Sequence, residues 1–366
     1  MKILYVTTVG GTMVFFKKFI EELLQEGHIV EIATHESDTS KVRDCYRDWG
    51  CVVHQISTSR SPFNKGNFVA IKQIKKLVEE NKYDIVHCHT PIAAMCTRLA
   101  CRKVRKQGTK VFYTAHGFHF FKGAPLKNWL LYYTVEKICA HYTDLLITIN
   151  KEDYALAQKK LKAKRIEYVP GVGIDLEKFA KCEVNFEEKR KELEIPNDAI
   201  LLLSVGELNQ NKNHETVIRA VADLDVYYII AGKGGLQEHL QGVINELGLN
   251  DRVKLIGFRR DVPQLCKIAD IFAFPSHREG LSVSVMEAMA SELPVVCSQI
   301  RGNTDLIDEN GGAYFNSKSV MECKDAIKKV IASSIDEIGK HNANRIKEFE
   351  VSRVNSIMRN LYEKGE

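Results

Sequence analysis

Ile271-Phe-Ala-Phe-Pro-Ser-His-Arg-Glu-Gly-Leu-Ser-Val-Ser-Val-Met-Glu-Ala-Met-Ala290 carries a complete structural sentence. The apolar run Ile271–Phe274 reads as a buried strand closed by Pro275. A polar loop follows. A helix is then predicted to open around Ser282–Ser284, with serine as a natural cap, and to run to about Ser291. The next apolar run, 294–297, reads as a second strand. Strand, loop, helix and strand in that order are a parallel crossover unit. Two carboxylates punctuate it. Glu279 falls in the loop, and Glu287, after seven intervening residues, is predicted in the first helical turn. Between them Gly280, Leu281, Ser282 and Val283 present backbone N–H groups at a helix start, where the macrodipole favours an anion.

Working outward, the same alternation recurs on both sides. Upstream in the second half, strands are predicted at 200–205, 227–230 and 253–256, separated by helices at 214–222 and 236–247, with a further helix at 262–269. The first half repeats the pattern, with strands at 3–7, 29–33, 84–87, 110–114 and 145–149 and helices at 14–25, 67–80, 93–106, 128–141 and 153–161. The charged, irregular stretch 177–198 separates the two series. A chain of 366 residues, 45% hydrophobic, can bury two cores. The expected fold is therefore α/β, two Rossmann-like doubly wound domains facing a central cleft. The boundaries are 1–176 and 177–349, with a C-terminal helix of about 350–366 returning to the first domain. Ligands in such sheets sit at the carboxyl ends of the strands.

The 274–290 segment resembles the Glu-x7-Glu motif of the retaining GT-B glycosyltransferases of family 4, and the resemblance extends over essentially the whole chain. It implies that Glu279 contacts donor-sugar hydroxyls and that Glu287 holds the ribose of a nucleotide sugar. Leu203-Ser-Val-Gly-Glu-Leu-Asn-Gln-Asn-Lys-Asn-His214 matches the family's Gly-Arg-Leu segment, with Lys212 at the position of its lysine. Position 207 departs from that pattern, being Glu where the family has Arg. Gly206, Asn209 and Lys212 are then expected to meet the diphosphate, with Lys212 carrying most of the positive charge and Arg301, in Ile300-Arg-Gly-Asn-Thr-Asp305, compensating for the missing arginine. Gly232 matches the family's Gly-x-Gly turn. Phe258 and Arg259 match the segment that reads the base, taken here as uracil.

In the first half, Thr7-Thr-Val-Gly-Gly-Thr12 places Gly10 and Gly11 where backbone can approach an anion, next to the transferred sugar in the family. This loop lacks a full Gly-x-Gly-x-x-Gly, and no acidic residue that would select an NAD ribose is evident downstream, which argues against a dehydrogenase. His116, just past a strand end, matches a histidine that approaches the reacting centre. His119 is a second candidate. The catalytic set is thus His116, Lys212 and Glu279, with no general base assigned and no metal or other cofactor expected.

The run His116-Gly-Phe-His-Phe-Phe-Lys-Gly-Ala-Pro125 looks like that of bacterial capsular and exopolysaccharide glycosyltransferases, which implies a polyprenyl-diphosphate-linked acceptor. Residues 1–176 hold 27 Lys and Arg against 17 Asp and Glu, a net +10, whereas 177–366 hold 25 against 30, a net −5. Phe118, Phe120, Phe121, Trp129–Tyr133, Lys122 and Lys127, with Arg98, Arg102, Lys103, Arg105 and Lys106 on one predicted helix, suit a peripheral contact with an anionic membrane. The expected location is cytoplasmic, at the inner face of the cell membrane. The ten cysteines lack zinc-like spacing and fit a reducing compartment. His87-Cys88-His89 reads as alternating faces of a strand end rather than a metal site. No RNA-binding signature matches the basic residues, so nucleic acid is not expected as a partner. The reading that results is transfer of a sugar, N-acetylhexosamine, from a UDP-sugar. The alternatives are a UDP-sugar 2-epimerase of the same architecture and a non-catalytic nucleotide-sugar binding module.

Overall fold

Strands rich in Val, Ile and Leu with little polar alternation need cover on both faces, and parallel sheets supply it. The computed structural model describes residues 1–364 and contains two such sheets. The first comprises β1 (Lys2–Val6), β2 (Ile29–Thr34), β3 (Val53–Gln55), β4 (Ile85–His89), β5 (Lys110–Ala115), β6 (Leu145–Thr148) and β7 (Arg165–Tyr168). Its order is β3-β2-β1-β4-β5-β6-β7, and every pair is parallel. The second comprises β8 (Leu201–Val205), β9 (Tyr227–Ala231), β10 (Val253–Gly257), β11 (Ile271–Phe274), β12 (Val295–Ser298) and β13 (Gly312–Phe315), in the order β10-β9-β8-β11-β12-β13, again all parallel. Both are Rossmann-like. The strand order reverses between β1 and β4 in one sheet and between β8 and β11 in the other, and the carboxyl ends at those reversals are the natural ligand positions.

Met1–Val172, together with the chain from Val354 onward, forms one compact unit, and Gly173–Arg353 forms the other. The sequence reading placed these divisions at 176/177 and 349/350. In the first unit the two-residue side-chain period of the strands divides the core. Leu4, Val6, Val86, Cys88 and Tyr113 pack on one face of the sheet, with helices Gly66–Asn81 and Pro91–Ala100. Ile3, Tyr5, Ile32, Phe112 and Ile147 pack on the other, with Phe16, Phe19, Val354 and Tyr362. His87 and His89 therefore lie on Tyr5's side and Cys88 on the opposite side. All ten cysteines are free.

Several expectations need correction. The strands β3, β7 and β13 were not anticipated. Arg98 is not a surface cation: it is 1% exposed, makes a bidentate pair with Glu136 at 2.8 and 3.0 Å, and lies 4.2 Å from the Tyr113 ring centroid. The helix bearing it ends at Ala100, and Val104–Gln107 forms a separate 3-10 turn, so the basic residues do not share one helix. Arg105 is engaged by Asp144 at 2.8 Å. Phe118 and Phe120 are core residues. The predicted helix 128–141 is interrupted by a π-turn at Trp129–Tyr133. Among the described residues no helix is long and apolar enough to cross a membrane.

Candidate active site

The reversal between β8 and β11 brings together the two loops that follow those strands. Lys212, from the loop after β8, places its Nζ 2.7 Å from Oε1 of Glu279, from the loop after β11. Both side chains are largely sheltered, at 20% and 15% exposure. The lysine also sits 4.7 Å from the ring centroid of Phe274, the last residue of β11, so an aromatic face supports the cation from below. The loops are locked to one another. The Asn211 carbonyl accepts from the His277 amide at 2.8 Å, and Asn211 Nδ2 donates to the Arg278 carbonyl at 2.9 Å. Asn213, in the left-handed region at φ 54°, donates to the Pro275 and Ser317 carbonyls. Asn209 Oδ1 accepts the Lys212 amide at 3.0 Å. Glu207, standing where the resemblance expects arginine, is exposed.

The helix that follows runs Val283–Ala290, capped by the Ser282 hydroxyl, which accepts from the Val285 amide at 3.4 Å. Leu281 and Ser282 are buried. Glu287 is the fifth residue of this helix, just past the first turn in which it was expected, although the helix opens at Val283, within the expected 282–284. Burial pushes its carboxyl up, with Lys178 partly opposing. His214, buried at the start of the preceding helix, is pushed down to about 4 by burial and by the Lys212 charge, with the Gly206 and Glu207 backbone opposing.

Two glycines here are required by close approach. A Cβ on Gly232 would lie 1.8 Å from the Gly206 carbonyl oxygen, so the turn after β9 packs directly on the loop that carries Lys212. A Cβ on Gly302, at φ +81°, would lie 2.4 Å from the Gly280 carbonyl oxygen. Its neighbour Arg301 is buried in the same turn after β12. At the edge of the sheet Phe258 is 65% exposed. Arg259 is already bound by Asp261 at 2.6 and 2.8 Å and by Glu192 at 2.8 Å, which commits its guanidinium to carboxylates.

In the first unit the Gly10–Gly11 turn is tied to its own surroundings. The Gly10 amide donates to the His35 carbonyl and the Gly11 amide to the Ser40 hydroxyl at 2.9 Å. Cβ atoms at either position would collide with residues 40–42. His116 follows β5 and meets His89, with Nε2 3.1 Å from His89 Nδ1. His87 reaches the Tyr362 hydroxyl at 2.6 Å and Thr114 at 2.8 Å, and Tyr362 bonds Tyr5 at 2.8 Å. Burial holds His87 at about 3 and His116 at about 4, with His89 also well down. These imidazoles are neutral at pH 7. Among the described residues no group of three or more His, Cys, Asp or Glu is gathered as a metal site.

Two family profiles divide the chain between them. Glycosyl transferase 4-like matches residues 2–150, and Glycosyl transferases group 1 matches 185–348. A Bacillus subtilis protein named as a glycosyltransferase, EpsD, is 41% identical over 265 residues, 70% of each chain. The chain belongs to the group 1 glycosyltransferases. The UDP-Gal:alpha-D-GlcNAc-diphosphoundecaprenol alpha-1,3-galactosyltransferase of Escherichia coli is 31% identical over 66% of each chain. In fold, HepE of Anabaena, solved in complex with UDP, superposes with a TM-score of 0.81 at 19% identity over the full length of both chains. The two Rossmann-like domains are thus those of a GT-B glycosyltransferase.

Within this glycosyltransferase, Lys212, Glu279, Gly206, Asn209, Gly280, Leu281, Ser282 and Val283 all lie on the two loops and the helix start at the β8/β11 reversal. Gly232 lies beneath them and Gly302 beside them. Phe258 and Arg259 lie two strands away, after β10. Gly10, Gly11 and His116 belong to the other unit. Sequence reading missed the aromatic floor at Phe274 and the His89 contact to His116. The Asn-rich run 209–213 carried a signal for the loop, since asparagine tolerates left-handed backbone and bonds carbonyls. His89 had none, because its role depends on β4 and β5 being neighbours.

Proposed function

We propose that this group 1 glycosyltransferase moves a sugar, N-acetylhexosamine, from a UDP-sugar to a polyprenyl-diphosphate-linked saccharide with retention. The setting is capsule or exopolysaccharide synthesis at the inner face of the cell membrane, and no metal is required. The observation that carries the reading is the sheltered Lys212–Glu279 pair at the β8/β11 reversal, beside a capped helix start. A nucleotide sugar needs a cation and oriented amides for its diphosphate and carboxylates for its hydroxyls, and these elements offer both. The Escherichia coli relative is named for a UDP-sugar donor and a diphosphoundecaprenol acceptor, and HepE was solved with UDP; both fit this donor and acceptor.

In this reading Lys212 and the Ser282–Val283 amides take up the charge that develops on the leaving diphosphate. Glu279 accepts from sugar hydroxyls and Glu287 from the ribose, while Arg301 supplements the cation on the diphosphate. His116, neutral, serves as a hydrogen-bonding group beside the transferred sugar. The leaving phosphate takes the acceptor proton in a same-face substitution, so no protein general base is assigned. The test is a thermal-shift panel of nucleotide sugars followed by a transfer assay with a lipid-linked acceptor. One UDP-sugar should raise the unfolding midpoint most. Lys212→Ala should cut turnover by about 10²-fold, the order found when a charge-stabilising group is removed. Full turnover by a Glu279→Ala/Glu287→Ala double variant, or conversion of the donor to an epimer without acceptor, would overturn the assignment.

A further inference from the structure

The reversal of strand order in the first sheet, between β1 and β4, holds a cavity of about 280 Å³, lined in part by Val9 and Thr12, which flank the Gly10–Gly11 turn. Thr8 and Thr12 line it from the loop after β1, Arg60 from the segment after β3, Thr90 from the turn after β4, and His119 and Tyr132 from the segment after β5. No carboxylate is among its lining residues, and Arg60 is the one formally charged side chain there. Arg60 is exposed and, among the described residues, makes no ion pair or side-chain hydrogen bond. His119 lies against Tyr132 with ring centroids 4.5 Å apart, so one wall is aromatic.

The floor of the cavity is strained and cross-braced. Thr90 is β-branched and holds φ 65°, a costly backbone for such a residue. It is kept there by the Thr8 hydroxyl at 2.6 Å and the Thr8 amide at 3.1 Å, while Thr58 bonds the Thr8 carbonyl at 2.9 Å. Strand ends β1, β3 and β4 are thereby fixed around the opening. Beyond the polar floor the flanking chain is apolar and unburied: Phe63, close after Arg60, is 81% exposed, and Leu130, close before Tyr132, is 68% exposed.

An unpaired guanidinium, hydroxyls and no acid select an anion with several oxygens, and exposed apolar residues on the chain flanking Arg60 and Tyr132 suit a hydrocarbon attached to it. We propose that this cavity binds the diphosphate of the lipid-linked acceptor, with Arg60 as its principal cation. This rests on the transfer reading above for the identity of the acceptor, whereas the binding chemistry stands on the cavity alone. A diphosphate could also come from the nucleotide, so the test separates the two sources.

Farnesyl diphosphate, farnesol and UDP are titrated separately onto the full-length protein by calorimetry. Farnesyl diphosphate should bind and farnesol should not. Arg60→Ala should weaken farnesyl diphosphate at least tenfold, as expected for loss of a charge-assisted contact, and Arg60→Lys should recover part of it, with unfolding midpoints confirming that both variants fold. Undiminished binding of farnesyl diphosphate by Arg60→Ala overturns the proposal. So does displacement of farnesyl diphosphate by UDP together with an equal loss of both ligands in the variant, which would give the cavity to the nucleotide. Lys212→Ala serves as the independent arm: if it leaves UDP binding intact, the donor reading fails while the result at Arg60 still stands or falls by itself.

Discussion

At the scale of single residues, charge state decides what the histidines can do. His87 and His89 are buried beside Tyr5, with ring centroids 4.1 Å apart, and His89 stacks on Tyr5 at 5.5 Å and lies 4.1 Å from Phe16. Burial lowers both, His87 to about 3, and lowers His116 and His214 to about 4. An unfolded histidine takes up a proton near 6.5, whereas His87 does so only at about 3 and His116 and His214 only at about 4, with His89 held down in the same direction. Between those values the unfolded chain binds more protons, so stability rises with pH. Their contribution is complete above about 6.5 and is lost as pH falls towards 4. For fully buried His87 the slope approaches about 1.4 kcal/mol per pH unit, and His89 adds to it in the same direction. The unfolding midpoint should therefore fall continuously from pH 7 to pH 5, before most carboxylates titrate, and a midpoint unchanged over that interval would refute neutral burial. The residue-level chemistry was only partly legible in the sequence. Lys212 and Glu279 could be named because each follows a recognisable strand end, but their 2.7 Å pairing required the adjacency of β8 and β11. Arg98 was misread because an arginine on an amphipathic segment gives no sign of a buried glutamate 38 positions away.

At the scale of elements, the long apolar strands and their crossover helices were readable, since their periodicity is set locally. The strands that escaped were short or mixed. Val53-His-Gln55 is three residues long, Arg165-Ile-Glu-Tyr168 is half-buried along its length, and Gly312-Ala-Tyr-Phe315 opens on a glycine. β3, β7 and β13 all stand at sheet edges, where pairing with one neighbour stabilises sequence that lacks a full apolar run. The turns were less legible still: glycine announces a turn but not what it touches. Gly232 proves to be a contact between backbones, with the Gly206 carbonyl 1.8 Å from any added Cβ. Gly232→Ala should therefore cost at least about 2 kcal/mol and displace the loop bearing Lys212, raising the donor KM as well as lowering the unfolding midpoint. Gly235 has nothing within 4 Å of an added Cβ, so Gly235→Ala in the same turn is the control and should stay within about 0.5 kcal/mol of wild type. Equal midpoints for the two variants would show that the turn after β9 does not brace the donor loop.

At the scale of the whole molecule, the uneven charge, +10 over residues 1–176 and −5 over 177–366, gives the chain an electrostatic direction that its fold does not require. The structure narrows what can act at a membrane. Arg98 and Arg105 are committed to carboxylates, and Phe118 and Phe120 to the core. Leu126 and Leu130 remain, 73% and 68% exposed on the segment around the π-turn, with exposed Lys122 and Lys127 beside them. A lysine pair next to two unburied leucines is attracted by anionic headgroups and gains further free energy when the leucines leave water, about 1.5–3 kcal/mol for each one fully buried. Cosedimentation with phosphatidylglycerol vesicles should accordingly be strong at about 0.1 M salt and weak at about 0.5 M, because screening shortens the reach of the lysines. Leu126→Ser/Leu130→Ser should lower the partition coefficient at least tenfold at the lower salt, while Lys122→Gln/Lys127→Gln should flatten the salt dependence. Equal binding to neutral phosphatidylcholine vesicles, or no response to the leucine substitutions, would mean that this segment does not form the membrane contact and that the excess positive charge serves another anion.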